Sequence, residues 1–197
     1  MRLNEHFDRV ALINLDRRTD RLNQFSAQAK RLGIDFVRYS AVDAEALGVG
    51  AVGACAQSHR KVLQDAIDDG VERLFVFEDD AGFHIDFQAK FEHTMKIVPD
   101  DWQMLYLGSW PYAIEEVGIE GIKRTLGCYS THAYGAKREI FADLIGASLD
   151  HMYPIDAAYG NLHKQIRAYI ASPSFVTQVP GYSDIRRMDV DDRAAII

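Results

Sequence analysis

Residues 73–80, RLFVFEDD, constrain the fold more tightly than any other stretch of this chain. Leu74 to Phe77 are apolar without alternation, the pattern of a strand covered on both faces in a parallel sheet. Glu78, Asp79 and Asp80 follow without a break. Three like charges at the end of a buried strand repel one another, and each must be hydrated, paired or bound to a cation. The fold must therefore bury the strand between two layers and find a use for the carboxylates at its end.

The flanking sequence supplies those layers. Residues 9–16 read as a first buried strand. A helix follows from Thr19, with Leu22, Phe25, Ala29 and Leu32 at helical spacing and Gly33 as its stop. A second strand is expected over 34–42 and a helix over 54–70, ending at Gly70. The RLFVFE strand should be central and parallel. Beyond it, 86–98 reads as helix and 102–108 as a fourth strand, whereas 109–126 carries no clear pattern. Residues 128–136 read as strand, 137–149 and 154–166 as helices, and 167–173 and 174–179 as short late strands. Alternating strands and helices indicate a single α/β domain over 1–197, with a central, mostly parallel sheet flanked by helices. Ligands in such folds bind beyond the carboxyl ends of the strands, where Glu78–Asp80 lie.

Composition narrows the function. The 197 residues carry 29 acidic and 22 basic side chains, a formal charge of −7. That balance argues against a nucleic-acid partner, which needs a concentrated basic face. The two cysteines, Cys55 and Cys128, have no metal-binding spacing, and two reduced thiols are expected. The N-terminal segment is charged and no apolar run approaches the ~20 residues of a membrane span, so the expected location is cytoplasmic, with at most peripheral membrane association. The sequence carries no signal of oligomeric state.

Three chemistries compete for the carboxylates. GVGAVG (48–53) matches the G-x-G-x-x-G dinucleotide pattern, but AEAL separates it from the preceding strand, and the mechanism requires the first glycine directly after a strand. An aspartyl phosphotransferase would need Asp-x-Asp after the first strand, and Arg18 stands at the second acidic position. The third is a metal-assisted nucleotide-sugar site. Manganese and magnesium prefer carboxylate oxygens. Glu78 and Asp80 are one residue apart and, in extended backbone, point the same way, so both can address one ion while Asp79 faces elsewhere.

In chain order, VALINLDRRTDRLNQF, AVDA, GACAQSHRKVLQDAIDDG, LFVFEDDAGFHIDF, DWQMLYLG, THAYGAKREIFADLI, PIDAAYGNL and QVPGYSDI resemble glycosyltransferase family 25. That family contains bacterial lipooligosaccharide galactosyltransferases and the galactosyltransferase domains of collagen-modifying enzymes. The resemblance runs from about Val10 to Ile185. It implies a GT-A-like (Rossmann-type) fold, a UDP-sugar donor (commonly UDP-galactose), a glycan acceptor, inversion at the anomeric carbon and a Mn2+ (or Mg2+) ion at Glu78–Asp80.

Each remaining candidate has a plainer reading beside the functional one. Arg17, Arg18 and Arg21 follow the first strand and either contact donor phosphates or pair with Asp16 and Asp20 at a helix start. Asn14 belongs to the same strand-end motif and is assigned to the donor with them. Asp43 either accepts from the uracil or ribose or caps a turn. Ser58 and His59 are adjacent on a helix, so their side chains diverge and form no dyad; the family motif gives them a donor-binding role, as it does Asp79. Asp156 is the expected general base, and its position after Pro154 also suits a helix cap. Asp184 either completes the metal set or is a surface turn residue, with His163 as the alternative late ligand. Trp110 and Tyr112 either stack on an acceptor sugar or anchor a loop. A nucleotide-sugar-binding member without turnover, and a dinucleotide-dependent oxidoreductase, remain the competing readings.

Overall fold

The structure is a computed structural model that describes residues 2–149, 153–186 and 188–191. In chain order, α1 (Leu3–His6) leads into β1 (Arg9–Asn14), α2 (Thr19–Leu32), β2 (Val37–Ser40), α3 (Ala44–Leu47), α4 (Ala51–Asp68), β3 (Arg73–Glu78), β4 (Ala81–Phe83) and α5 (Phe87–Ile97). A hairpin of β5 (Met104–Glu116) and β6 (Ile122–Lys137) follows. After it come α6 (Phe141–Ala147), α7 (Ile155–Leu162), β7 (Ala168–Ala171), β8 (Val176–Gln178), β9 (Gly181–Ser183) and β10 (Met188–Val190). The last residues of the domain expected over 1–197, 192–197, lie outside the described residues.

The central sheet has six strands in the order β2-β1-β3-β6-β5-β7. Within it β6 runs against the other five, which share one direction. The expected helix-flanked α/β sheet of GT-A-like, Rossmann type is therefore present. β3 is central as expected, but parallel only to β1; its other neighbour, β6, is antiparallel. Its side chains explain why it reads as uniformly apolar. Leu74 and Val76 enter the core under α4 with Val62 and Leu63, while Phe75 and Phe77 enter the opposite core with Phe25, Phe87 and Phe91. Each such side chain contributes ~2 kcal/mol or more on burial.

Two local readings change. The unread stretch 109–126 is the outer half of the β5–β6 hairpin, where repeated register shifts break the alternation that marks a strand. The GVGAVG pattern follows no strand: Gly48, in the left-handed region, caps α3, and Ala51–Gly53 already belong to α4. That removes the geometry on which a dinucleotide site depends. No helix among the described residues is long and apolar enough to cross a membrane.

Candidate active site

The parallel register sets Ile13 beside Glu78, so β1 and β3 end side by side. Beyond these ends opens a cleft of about 740 Å³, walled by α4, by the Asp156 end of α7 and by Gln178, Val179, residues 182–186 and Val190. Glu78, Asp79 and Asp80 line it together.

The three carboxylates have different surroundings. Although burial works against it, His59 at 3.4 Å and a 2.6 Å hydrogen bond from Thr131 hold Glu78 below the usual carboxylate range. Asp79 accepts from Asn14 at 2.7 Å and from Arg21 at 2.9 Å, yet burial still raises its pKa. Asp80 is pushed up to about 7 by burial and then by the Glu78 charge. One of its oxygens is 3.3 Å from the Gln178 amide and 3.5 Å from Arg21; the other, Oδ1, is buried without a partner. A buried carboxylate with an unused oxygen beside a second carboxylate fits a hard divalent cation.

The arginines are already engaged. Arg17 pairs with Asp43 and, at 2.8 Å, with Asp184; Arg18 pairs with Asp20 at 2.9 Å and with Asp184 at 2.6 Å. Arg21 reaches the Tyr182 carbonyl at 2.8 Å besides Asp79. Asp184 is thus not brought to Glu78 and Asp80 as a third metal ligand, because two guanidinium groups hold both its oxygens. Among the described residues no three His, Cys, Asp or Glu side chains are gathered to hold one ion.

Other expected contacts are also relocated. Asn14 is buried behind the carboxylates, donating to Asp79 and accepting from Arg38, so it orients the site wall and does not line the cleft. Asp43 caps α3, accepting from the Glu45 and Ala46 amides, and neither it nor Arg18 lines the cleft. Ser58 and His59 both reach the cleft and diverge as expected: Ser58 bonds Val42 and Ala54, His59 bonds Tyr134. Asp156 lines the cleft and accepts from the Ser130 and Ala157 amides at 3.0 and 2.7 Å. Trp110 also lines it, while Tyr112 packs over Gly127 and Gly160.

Thr131, Gln178 and the Ser130–His132 pair were not singled out from sequence. The usable signal was three consecutive polar residues inside an otherwise apolar strand, each of which needs a partner.

His163 is not a ligand. It is fully buried, bonds the Tyr106 hydroxyl at 3.0 Å, and has its pKa lowered by burial to about 4. The fold thus favours the neutral ring relative to an ordinary value of 6.5. Its contribution is complete above pH ~6.5 and is lost as pH falls toward 4, about 3 kcal/mol at most. Urea denaturation at pH 7 and pH 4.5 should show a larger loss for the native chain than for His163→Gln; equal losses would refute this.

Residues 44–121 match the model of glycosyltransferase family 25 (LPS biosynthesis protein). Procollagen galactosyltransferase 2 of Mus musculus is 26% identical, covering 96% of this chain and 39% of that protein. Inactive glycosyltransferase 25 family member 3 of Homo sapiens is 27% identical, covering 76% of this chain and 31% of that protein. The chain thus spans less than half the length of either relative. Among solved structures, A197 from STIV shares the fold, with a TM-score of 0.54 at 16% identity over 92% of this chain and 93% of that one. The matched span contains α4, β3 and the three carboxylates that line the cleft, and over that span this chain is similar to glycosyltransferase family 25.

Proposed function

We propose that residues 1–197 act as one catalytic domain, an inverting hexosyltransferase that moves galactose from UDP-galactose to an acceptor hydroxyl. The observation that carries this reading is the buried, unpartnered oxygen of Asp80, which lines the cleft together with Glu78. A Mn2+ or Mg2+ ion held by Glu78 and Asp80 would offset the charge developing on the departing diphosphate.

The chain's own residues do the remaining work. Arg17 and Arg21 line the cleft, and guanidinium groups suit phosphate oxygens; Arg17 would exchange Asp184 for the donor. Asn14 holds Asp79, which holds Arg21, so the end of β1 sets the cation side of the donor pocket. His59 and Thr131 keep Glu78 ionised. Asp156 and Ser130 form the corner where an acceptor hydroxyl enters, and the acceptor we propose is a lipooligosaccharide or other surface glycan met at the cytoplasmic face of a membrane.

The test is calorimetric titration of UDP into the chain, with manganese and with chelator. Micromolar binding that needs manganese is expected; no binding in either condition would overturn the donor assignment. A second reading is favoured by the relatives named inactive family members. In that case UDP-galactose binds, yet no UDP is released with any acceptor.

A further inference from the structure

Among the described residues Ser130 is the one non-glycine with positive φ, 76°. A left-handed residue inside a strand costs ~1 kcal/mol or more and persists only where its surroundings fix it. Of the fixing contacts, Asp156 and Gln178 line the cleft, and His132 does not. The Ser130 amide donates to Asp156 at 3.0 Å, and its hydroxyl is 2.5 Å from His132 Nδ1 and 3.2 Å from Gln178 Oε1. His132 is fully buried, with Nε2 3.1 Å from the Val176 carbonyl oxygen.

These contacts assign the tautomer. A carbonyl oxygen can only accept, so Nε2 carries the proton and Nδ1 is bare. Gln178 Oε1 can likewise only accept, so the one Ser130 hydroxyl proton is shared between the two acceptors, His132 Nδ1 at 2.5 Å being the nearer and Gln178 Oε1 at 3.2 Å the farther. Gly108 makes the arrangement possible, since a Cβ there would lie 2.4 Å from His132 Nε2 and 2.0 Å from the Val176 oxygen. A part-exposed serine hydroxyl, bonded to a buried imidazole oriented by a carbonyl, has the geometry of a nucleophile with its base. Asp156 is differently placed, with each oxygen accepting a backbone amide.

We propose that Ser130 is a further catalytic residue, receiving the acceptor hydroxyl's proton while it passes its own to His132. This rests on the donor-cleft reading. The acceptor O–H bond breaks as its oxygen bonds the anomeric carbon, and the C–O bond to the diphosphate breaks with its electron pair leaving on the diphosphate. The acceptor's proton ends on Ser130 Oγ and the serine's own on His132 Nδ1, from which it returns to solvent after product leaves. Burial lowers the pKa of His132 and so keeps it a neutral acceptor at rest, while the Val176 carbonyl and the Glu78 charge favour its protonated form. Asp156 becomes the positioning residue that holds the Ser130 turn.

The experiment is labelling of the full chain with a fluorophosphonate, the adduct being mapped by mass spectrometry. Ser130 Oγ should bond phosphorus as fluoride leaves and the proton passes to His132. Labelling should slow about 100-fold or more in His132→Gln, and UDP with manganese should protect. No adduct on Ser130, or equal rates in the folded variant, overturns the proposal. Should His132→Gln fail to fold, Ser130→Ala decides: a ~100-fold lower kcat for UDP release at unchanged KM supports it, and an unchanged kcat overturns it. Labelling of Ser130 without UDP binding supports the pair and overturns the donor assignment alone.

Discussion

Asp80→Asn is expected to stabilise the metal-free protein at pH 8 and to abolish the effect of manganese on UDP binding. The carboxyl of Asp80 sits at about 7 in the fold against an ordinary 3.8, because it is buried beside Glu78. The folded state therefore keeps a proton that the unfolded chain releases between pH ~4 and 7, and stability falls as pH rises through that window. The loss above pH 7 is at most about 4 kcal/mol. Asparagine is neutral at every pH, keeps an acceptor for Gln178, and should recover on the order of 2 kcal/mol of it. The same change removes the oxygen donor that fits a cation, so UDP affinity in manganese should fall 10- to 100-fold, about 1.4 to 2.7 kcal/mol. Urea denaturation in chelator at pH 5 and pH 8, paired with UDP titration, checks both halves. Equal pH dependence in the native chain and the variant would rule out a strained carboxylate, and intact manganese dependence would place the cation elsewhere.

The cost of burying these charges explains why the carboxylates were legible in the sequence. Glu78 to Asp80 violate the burial rule that Leu74 to Phe77 obey, and the violation is local. The cap formed by Asp43 and the turn at Asp184 were each one of two readings, but their pairing with arginines was not legible, because it depends on which arginine reaches which carboxylate. Arg17 bonds Asp184 across 167 positions of sequence, and no spacing rule anticipates that pairing. Ser130 and His132 were read as part of a strand because β6 is apolar around them, and only the backbone shows Ser130 leaving the pleat. For the fold, α2 was readable from its period and its Gly33 stop, and β3 from its unbroken apolar run. The reversed direction of β6 was not readable, since strand direction belongs to pairing, not to composition. The outer hairpin escaped for a different reason: Tyr112 and Ile114 are exposed there, and bulges shift the register.

Gly108→Ala should be among the most damaging small substitutions in the chain, and Gly146→Ala should be harmless or stabilising. At Gly108 an added Cβ would lie 2.0 Å from the Val176 oxygen, 2.9 Å from its carbonyl carbon and 2.4 Å from His132 Nε2. Two of these neighbours are backbone, and the third is a buried ring held at both nitrogens. None can turn aside as a flexible side chain would, so β8 must separate from β5 or the His132–Val176 bond must break. The expected loss is ~3 kcal/mol or more, at or beyond the upper end of overpacking in a close-packed interior. Gly146 lies inside α6 with ordinary φ and nothing within 4 Å of an added Cβ. Alanine there restricts the unfolded chain and suits the helix, for a gain of ~0.5–1 kcal/mol. Urea denaturation of the two variants should move their midpoints in opposite directions. A Gly108→Ala protein of native stability would mean that β8 and His132 are not packed as described, and the tautomer assigned to His132 would lose its basis.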